Sequence, residues 1–199
     1  MKQRLFSKIL DEWLKAPGDK TLGSLIEVFG EKSFAIIFLL LMALPALPLP
    51  TGGLTHVTEL ITMLVSLELI AGRKTIWLPE RWKRIDVGKL MKGKAARTLT
   101  GFIARVERYS KQRGNRVLVR NPVPSFIGFI VFVFTLAAFV APPFSGLDTL
   151  PALGVVIISL ALLLEDALVL LVGIIIGCAG IALELVLGTA LYEGARHFF

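Results

Sequence analysis

Seven ionisable side chains stand in or beside long apolar runs of this sequence: His56, Glu59, Glu68, Asp148, Glu165, Asp166 and Glu184. A charge in hydrocarbon is costly unless it faces protein, water or an opposite charge, so each needs a reason to be there. Glu59 lies one turn from Thr55, just past a break rich in Pro and Gly, and Asp148 lies in the corresponding loop of a second such break. If the two segments pack together, Glu59 and Asp148 meet near the midplane of a bilayer with His56 between them, which is the chemistry of a proton or cation site. Glu184, inside the last apolar segment with Gly177, Gly180 and Gly188 nearby, is a fourth candidate. Plainer roles exist for each. Asp148 can cap a helix, Glu59 can balance the positive start of one, and Glu184 can sit at an outer interface. Glu68 and Glu165, near the ends of their arms, suit solvated or salt-bridged positions.

The elements that must hold these groups follow from hydropathy. With 55% hydrophobic and 19% charged residues, and a mean hydropathy of +0.74, the chain is too apolar for an ordinary soluble domain. Its apolar residues cluster in runs at 34–49, 57–71, 126–140, 155–164 and 167–183, a set of membrane segments and not one globular core. The first arm, from Phe34 to Leu44, meets Pro45, Pro48 and Pro50 followed by Gly52 and Gly53, and no regular helix continues through that. At 1.5 Å per residue this arm is about 17 Å long, short of a ~30 Å hydrocarbon layer, so a re-entrant half-helix is the expectation. Thr55 or Thr58 can cap the returning helix, which runs to Ala71 and stops at Gly72-Arg73-Lys74.

The same grammar recurs 93 residues later, where an arm from Ile127 to Val140 ends at a break holding Pro142 and Pro143. Asp148 or Thr149 starts the return, and Pro151 fits its first turn. At this offset Pro50-Thr51-Gly52-Gly53-Leu54 lies over Pro143-Phe144-Ser145-Gly146-Leu147, and Ser66-Leu67 over Ser159-Leu160, which points to an internal duplication. After a polar corner at Glu165-Asp166, residues 167–190 suffice to cross once, leaving the carboxyl end facing outward. The expected fold is an all-α integral membrane protein. Two proline-broken hairpins, re-entrant or spanning, form an internal repeat, joined by a final transmembrane helix and amphipathic interfacial helices. The expected divisions are 1–32 for N-terminal surface helices, 33–72 and 122–166 for the hairpins, 73–121 for a basic segment and 167–199 for the last span.

Charge sets the expected orientation. Residues 73–120 hold 15 Lys and Arg against Glu80, Asp86 and Glu107, a net +12 where the whole chain carries +7. The positive-inside rule places that segment in the cytoplasm. Within it Leu99, Phe102, Ile103, Val106 and Tyr109 share one helical face, opposite Lys94, Arg97, Arg105, Arg108 and Lys111. This is the pattern of an interfacial helix whose Arg97, Arg105, Arg108 and Lys111 hold anionic lipid headgroups; in so apolar a chain nucleic acid is not the expected partner. Trp77 and Trp82 flank the Leu78-Pro79 turn among Arg81, Lys83 and Arg84, as where a chain passes through headgroups. Two short amphipathic helices, the second capped by Thr21, are expected at the surface before the first arm. The N-terminal stretch, with Asp11, Glu12 and Lys15 among its apolar positions and no small-residue cleavage site, does not read as an export signal. Cys178 is the single cysteine and reads as a packing residue. The sequence carries no glycine-rich phosphate loop, no metal-spaced His or Cys set and no serine elbow, so no enzyme and no cofactor is expected.

Several of these features together carry a family resemblance: Glu31-Lys32-Ser33 before the first arm, Ala43-Leu44-Pro45-Ala46-Leu47-Pro48-Leu49-Pro50, the Trp77-Leu78-Pro79 turn and the second arm running into prolines. From about Thr21 onward the chain resembles the ExoD family of bacterial exopolysaccharide-synthesis membrane proteins. The resemblance implies a multi-pass protein of the bacterial inner membrane tied to surface polysaccharide, and it brings no catalytic residue. Two functional classes stay open. One is a small transporter or flippase-like protein moving a lipid-linked saccharide or ionic cargo, with a proton or sodium antiporter as a variant. The other is a scaffold that docks a polysaccharide synthase on its basic face. A homo-oligomer is expected in either case, because so few spans enclose little interior.

Overall fold

The computed structural model describes residues 12–13, 15–47, 54–84, 86, 101, 122–142 and 145–198. These form seven α-helices and one 3-10 turn, with no strand among the described residues. Helix α1 (Leu22–Phe29) begins where Thr21 accepts a hydrogen bond from the Ser24 N–H at 3.3 Å. It ends at Gly30, whose φ of 52° lies in the region that favours glycine. Leu25 and Phe29 turn inward and pack on the hydrophobic core, so this surface helix is held by its apolar face. A 3-10 turn (Gly30–Lys32) feeds directly into α2 (Ser33–Met42), which is buried along nearly its whole length.

Helix α3 (Leu54–Ile70) is already running at Leu54, so Thr58 does not cap it; the Thr58 hydroxyl donates to the Thr55 carbonyl within the helix. Gly72, at φ 77°, stops the chain close to the expected place. Leu78 and Ile76 tuck in while Trp77 is exposed, and a short helix α4 (Glu80–Lys83) packs near α1, where Gly23 abuts the Lys83 backbone.

Helix α5 (Val123–Val140) starts four residues before the expected arm, because Pro124 falls in its first turn, where its missing N–H costs nothing. Helix α6 (Thr149–Leu164) is the second largely enclosed element. Glu165, at φ 55°, makes the corner, and Asp166 accepts from the Leu168 N–H at 3.0 Å to start α7 (Ala167–Phe198). Two helical stretches, Val123–Val140 and Ala167–Thr189, are long and apolar enough to cross a membrane. The first arm of the second hairpin therefore need not be a half-helix, whereas α2, with ten residues, is about 15 Å long.

Contacts fix the directions. A Cβ on Gly128 of α5 would meet Ile70 of α3 at 3.0 Å, and at the other ends of these helices the rings of His56 and Phe139 lie 5.4 Å apart, so α3 and α5 run antiparallel. Lys32 before α2 pairs with Glu165 after α6, so these two are antiparallel as well. Gly154, Gly173, Gly177 and Gly180 let α6 and α7 approach backbone to backbone, also antiparallel, with Gly154 against Gly177 and Gly180 against Pro151. Both breaks consequently fall at one end of the bundle. Lys32, Ile70, Val123 and Glu165 mark the other, hereafter the base. Of the break prolines, Pro45 is buried in a turn that continues α2 to Leu47, and Pro142 is exposed, its carbonyl accepting from the Ser145 hydroxyl at 2.6 Å. Pro48, Pro50 and Pro143 lie outside the described residues, as do Arg97, Arg105, Arg108, Lys111 and the rest of the expected basic helix, and most of the first N-terminal helix.

Candidate functional site

Helix α3 is built inside out. Val57, Leu60, Leu64 and Leu67 are exposed along one face, while Thr55, Glu59, Thr62 and Ser66, spaced four, three and four apart, are buried along the other. A helix in water does the reverse; apart from Val65 and Leu69, the buried face is polar, the pattern expected of a helix with apolar surroundings. The hydroxyls on that inner face are spent locally: Thr62 donates to the Thr58 carbonyl at 2.8 Å and Ser66 to that of Met63 at 2.6 Å. Thr135 of α5 and Ser159 of α6, also enclosed, donate one turn back at 2.8 and 2.7 Å. Satisfied in this way, they line the core without demanding a partner.

Glu59 differs. It is 0% exposed, and one carboxylate oxygen, Oε2, lies 2.9 Å from His56 Nδ1. The other, Oε1, is buried with no hydrogen-bond partner. The His56 side chain is 34% exposed and leans on the Phe139 ring. Asp148 stands at the start of α6 with helical dihedrals and makes no capping hydrogen bond. It is close enough to interact electrostatically with His56, Glu59 and Glu184. Glu184 comes from α7, and its Oε1 is likewise buried and unpartnered, as is the Thr149 hydroxyl beside Asp148. Three helices from separate parts of the chain thus bring His56, Glu59, Asp148 and Glu184 into one neighbourhood near the end that carries the breaks.

Depth separates the members. Counting up from the base at 1.5 Å per residue, Glu59 stands about 17 Å above Ile70, Asp148 about 24 Å above Leu164 and Glu184 about 26 Å above Ala167. In a layer ~30 Å thick, only Glu59 is near the middle; the other two acids lie in the upper third, above it.

The remaining acids have partners at the base. Glu68 accepts from the Trp77 N–H at 2.8 Å and lies 3.9 Å from Arg73, which ties the end of α3 to the Trp-Leu-Pro turn. Glu165 pairs with Lys32 at 2.8 Å, and the same ammonium donates to the Leu163 carbonyl at 3.2 Å. Sequence reasoning did not assign Lys32, although a cation immediately before a wholly apolar helix was a signal. Nor did it foresee the ring of Phe139 on His56, or the polar inner face of α3, for which Thr55, Glu59, Thr62 and Ser66 at helical spacing were the trace.

An inside-out helix, glycine-packed neighbours and a carboxylate enclosed among apolar arms make an α-helical bundle with polar groups in its core and two helices long and apolar enough to cross a membrane. The chain belongs to the ExoD family: the family model described as exopolysaccharide synthesis, ExoD, matches residues 6–186. It is similar to "Uncharacterized protein slr1875" of Synechocystis sp. (strain ATCC 27184 / PCC 6803 / Kazusa), with 25% identity over 174 residues, covering 86% of this chain and 81% of that protein. No solved structure matches the chain.

Proposed function

We propose that this chain is a small translocation protein of exopolysaccharide synthesis, seated in the bacterial inner membrane, that moves a lipid-linked or ionic cargo past a polar site between two hairpins. The observation that carries the reading is Glu59, fully enclosed between α3 and its neighbours with only His56 to bond it. A structural core gains nothing from a carboxylate held there at such cost, whereas a site that must bind and release a cation does.

Helix pairing supports a repeat. Exchanging α2 with α5 and α3 with α6 turns the α2–α6 contact into the α5–α3 contact, and both are extensive. Ser66 and Ser159, which coincide at the 93-residue offset, are both fully enclosed and bonded to their own helices. With both breaks at one end, the repeat is a parallel one, its axis along the bundle. Residues 73–120, with net +12, follow the base end of α3 and precede the base end of α5; the positive-inside rule supports a base on the cytoplasmic side, with the acids toward the far leaflet. Lipid covers the outward apolar faces, and a second copy of the chain shares that surface. No step of bond making is assigned to the protein.

Purified protein in proteoliposomes tests this. Uptake of a cation or transfer of a lipid-linked saccharide carrier is expected for the wild type, with loss in Glu59→Gln and Asp148→Asn. Inactivity in both assays, together with full polysaccharide output from cells carrying the two variants, would overturn it. The charge of residues 73–120 favours a second reading, a scaffold for a synthase. In that case reversal of Arg97, Arg105 and Arg108 abolishes polysaccharide output while Glu59→Gln leaves it intact.

A further inference from the structure

We infer that His56 and Glu59 form a proton-binding dyad, which takes up and releases one proton through the end of the bundle that carries the breaks. Within the translocation reading, this makes the proton the coupling ion; the binding of the proton itself stands without that reading.

An ionised carboxylate offers about four acceptor positions, and Glu59 uses one, toward His56 Nδ1. Its Oε1 is buried and bonded to nothing, so a proton can sit there without displacing any bond of the structure. Among the described residues, the helices packed against α3 offer no other charge to answer it. Helices α2, α5 and α6 contain no Asp, Glu, His, Lys or Arg. Among the described residues, the titratable groups facing Glu59 are His56 on its own helix, Asp148 at the start of α6 and, beyond it, Glu184 of α7. Glu68 is engaged at the base with Trp77 and Arg73. The pair thus holds a proton on the imidazole, beside a carboxylate, or gains a second on Oε1; the difference is one proton and one charge.

A route to this position is present. Glu59 has no exposed surface, but the His56 ring, bonded to it through Nδ1, is one-third exposed. A two-nitrogen ring with one nitrogen on the buried acid and the rest of its edge partly open is the geometry of a shuttle. Asp148 and Glu184 stand higher in the bundle than His56, on the side from which a proton would arrive. A metal cation fits less well. Among the described residues no three His, Cys, Asp or Glu side chains converge as a metal would require, and the hydroxyls of Thr62, Ser66, Thr135 and Ser159 are directed at backbone carbonyls.

The test uses the full chain in lipid nanodiscs and needs no cargo. Infrared difference spectra recorded across pH report the carboxyl stretch of Glu59 as it gains and loses its proton. The expected result is a titrating carboxyl band that disappears in Glu59→Gln and persists in Asp148→Asn and Glu184→Gln. His56→Gln, which keeps the carboxylate, is expected to displace the midpoint of that band and to slow proton exchange in a pH jump. Wild-type spectra identical to those of Glu59→Gln would overturn the proposal, as would a midpoint unmoved by His56→Gln or a band abolished by sodium at constant pH. A titrating dyad alongside inactive proteoliposomes would sink translocation and leave the dyad standing; cargo transport with a silent Glu59 band would do the opposite.

Discussion

Adding one methyl group at Gly154 tests the backbone-to-backbone contact of α6 with α7. A Cβ there would lie 2.7 Å from the Cα and 2.9 Å from the N of Gly177, where ordinary carbon contacts need about 3.5–4.0 Å. The shortfall is about 1 Å, and both obstructing atoms are backbone in the middle of α7, so only a separation of the two helices relieves it. Overpacking of this kind costs about 1–3 kcal/mol, against a gain of up to about 1 kcal/mol from replacing glycine by alanine in a helix. Gly188, farther along α7 with nothing within 4 Å of its Cβ position, supplies the control, since it carries the same propensity gain and no clash. Gly154→Ala is therefore expected to be less stable than Gly188→Ala by about 1–3 kcal/mol. Reversible sodium dodecyl sulfate titration of the protein in mixed micelles, followed by tryptophan fluorescence, measures the difference. Coincident unfolding curves for the two variants would refute the close approach of α6 and α7.

Removal of Lys32 leaves Glu165 buried without its cation. Lys32→Met is expected to cost about 1–3 kcal/mol in the same titration, less than for a fully enclosed pair because Lys32 stays partly solvated, and Lys32→Met with Glu165→Gln is expected to recover most of it. At the exposed helix α4, the Lys83 ammonium, 2.6 Å from Glu80, holds that carboxyl below its ordinary range. The contribution of this pair is present above the ordinary glutamate value and fades as pH falls through the lowered one; Lys83→Ala should return the Glu80 titration, followed by carbon NMR, to the usual range.

Local chemistry was legible in the residues, and long-range partnership was not. Thr21 as a cap, Gly72 as a stop and the Glu165-Asp166 corner each act within a few residues, so the sequence displays them directly. The apolar arms were visible for the same reason, although the second was expected from Ile127 and the helix begins at Val123, Pro124 falling in its first turn. Which face of α3 points inward was hidden for a different reason. In water, periodic hydropathy marks the core side of a helix; where surroundings and core are both apolar, that contrast vanishes and a few polar residues must carry the signal. Lys32 and Glu165 are 133 positions apart, and nothing near either one announces the other. The grouping of His56, Glu59 and Asp148 could be anticipated only through the repeated proline breaks, which put equivalent positions at the same end.

The glycine contacts that fuse α6 to α7 also dictate how the protein can deform. Two helices in backbone contact, joined by a two-residue corner, have no freedom to slide or splay separately, so they behave as a single beam. Asp148 and Glu184 ride on that beam, while His56 and Glu59 belong to the pair α3 and α5 on the other side. Any rocking of the molecule must open the seam between these bodies, and in doing so it changes the spacing of the acids and the electric field felt by the imidazole between them.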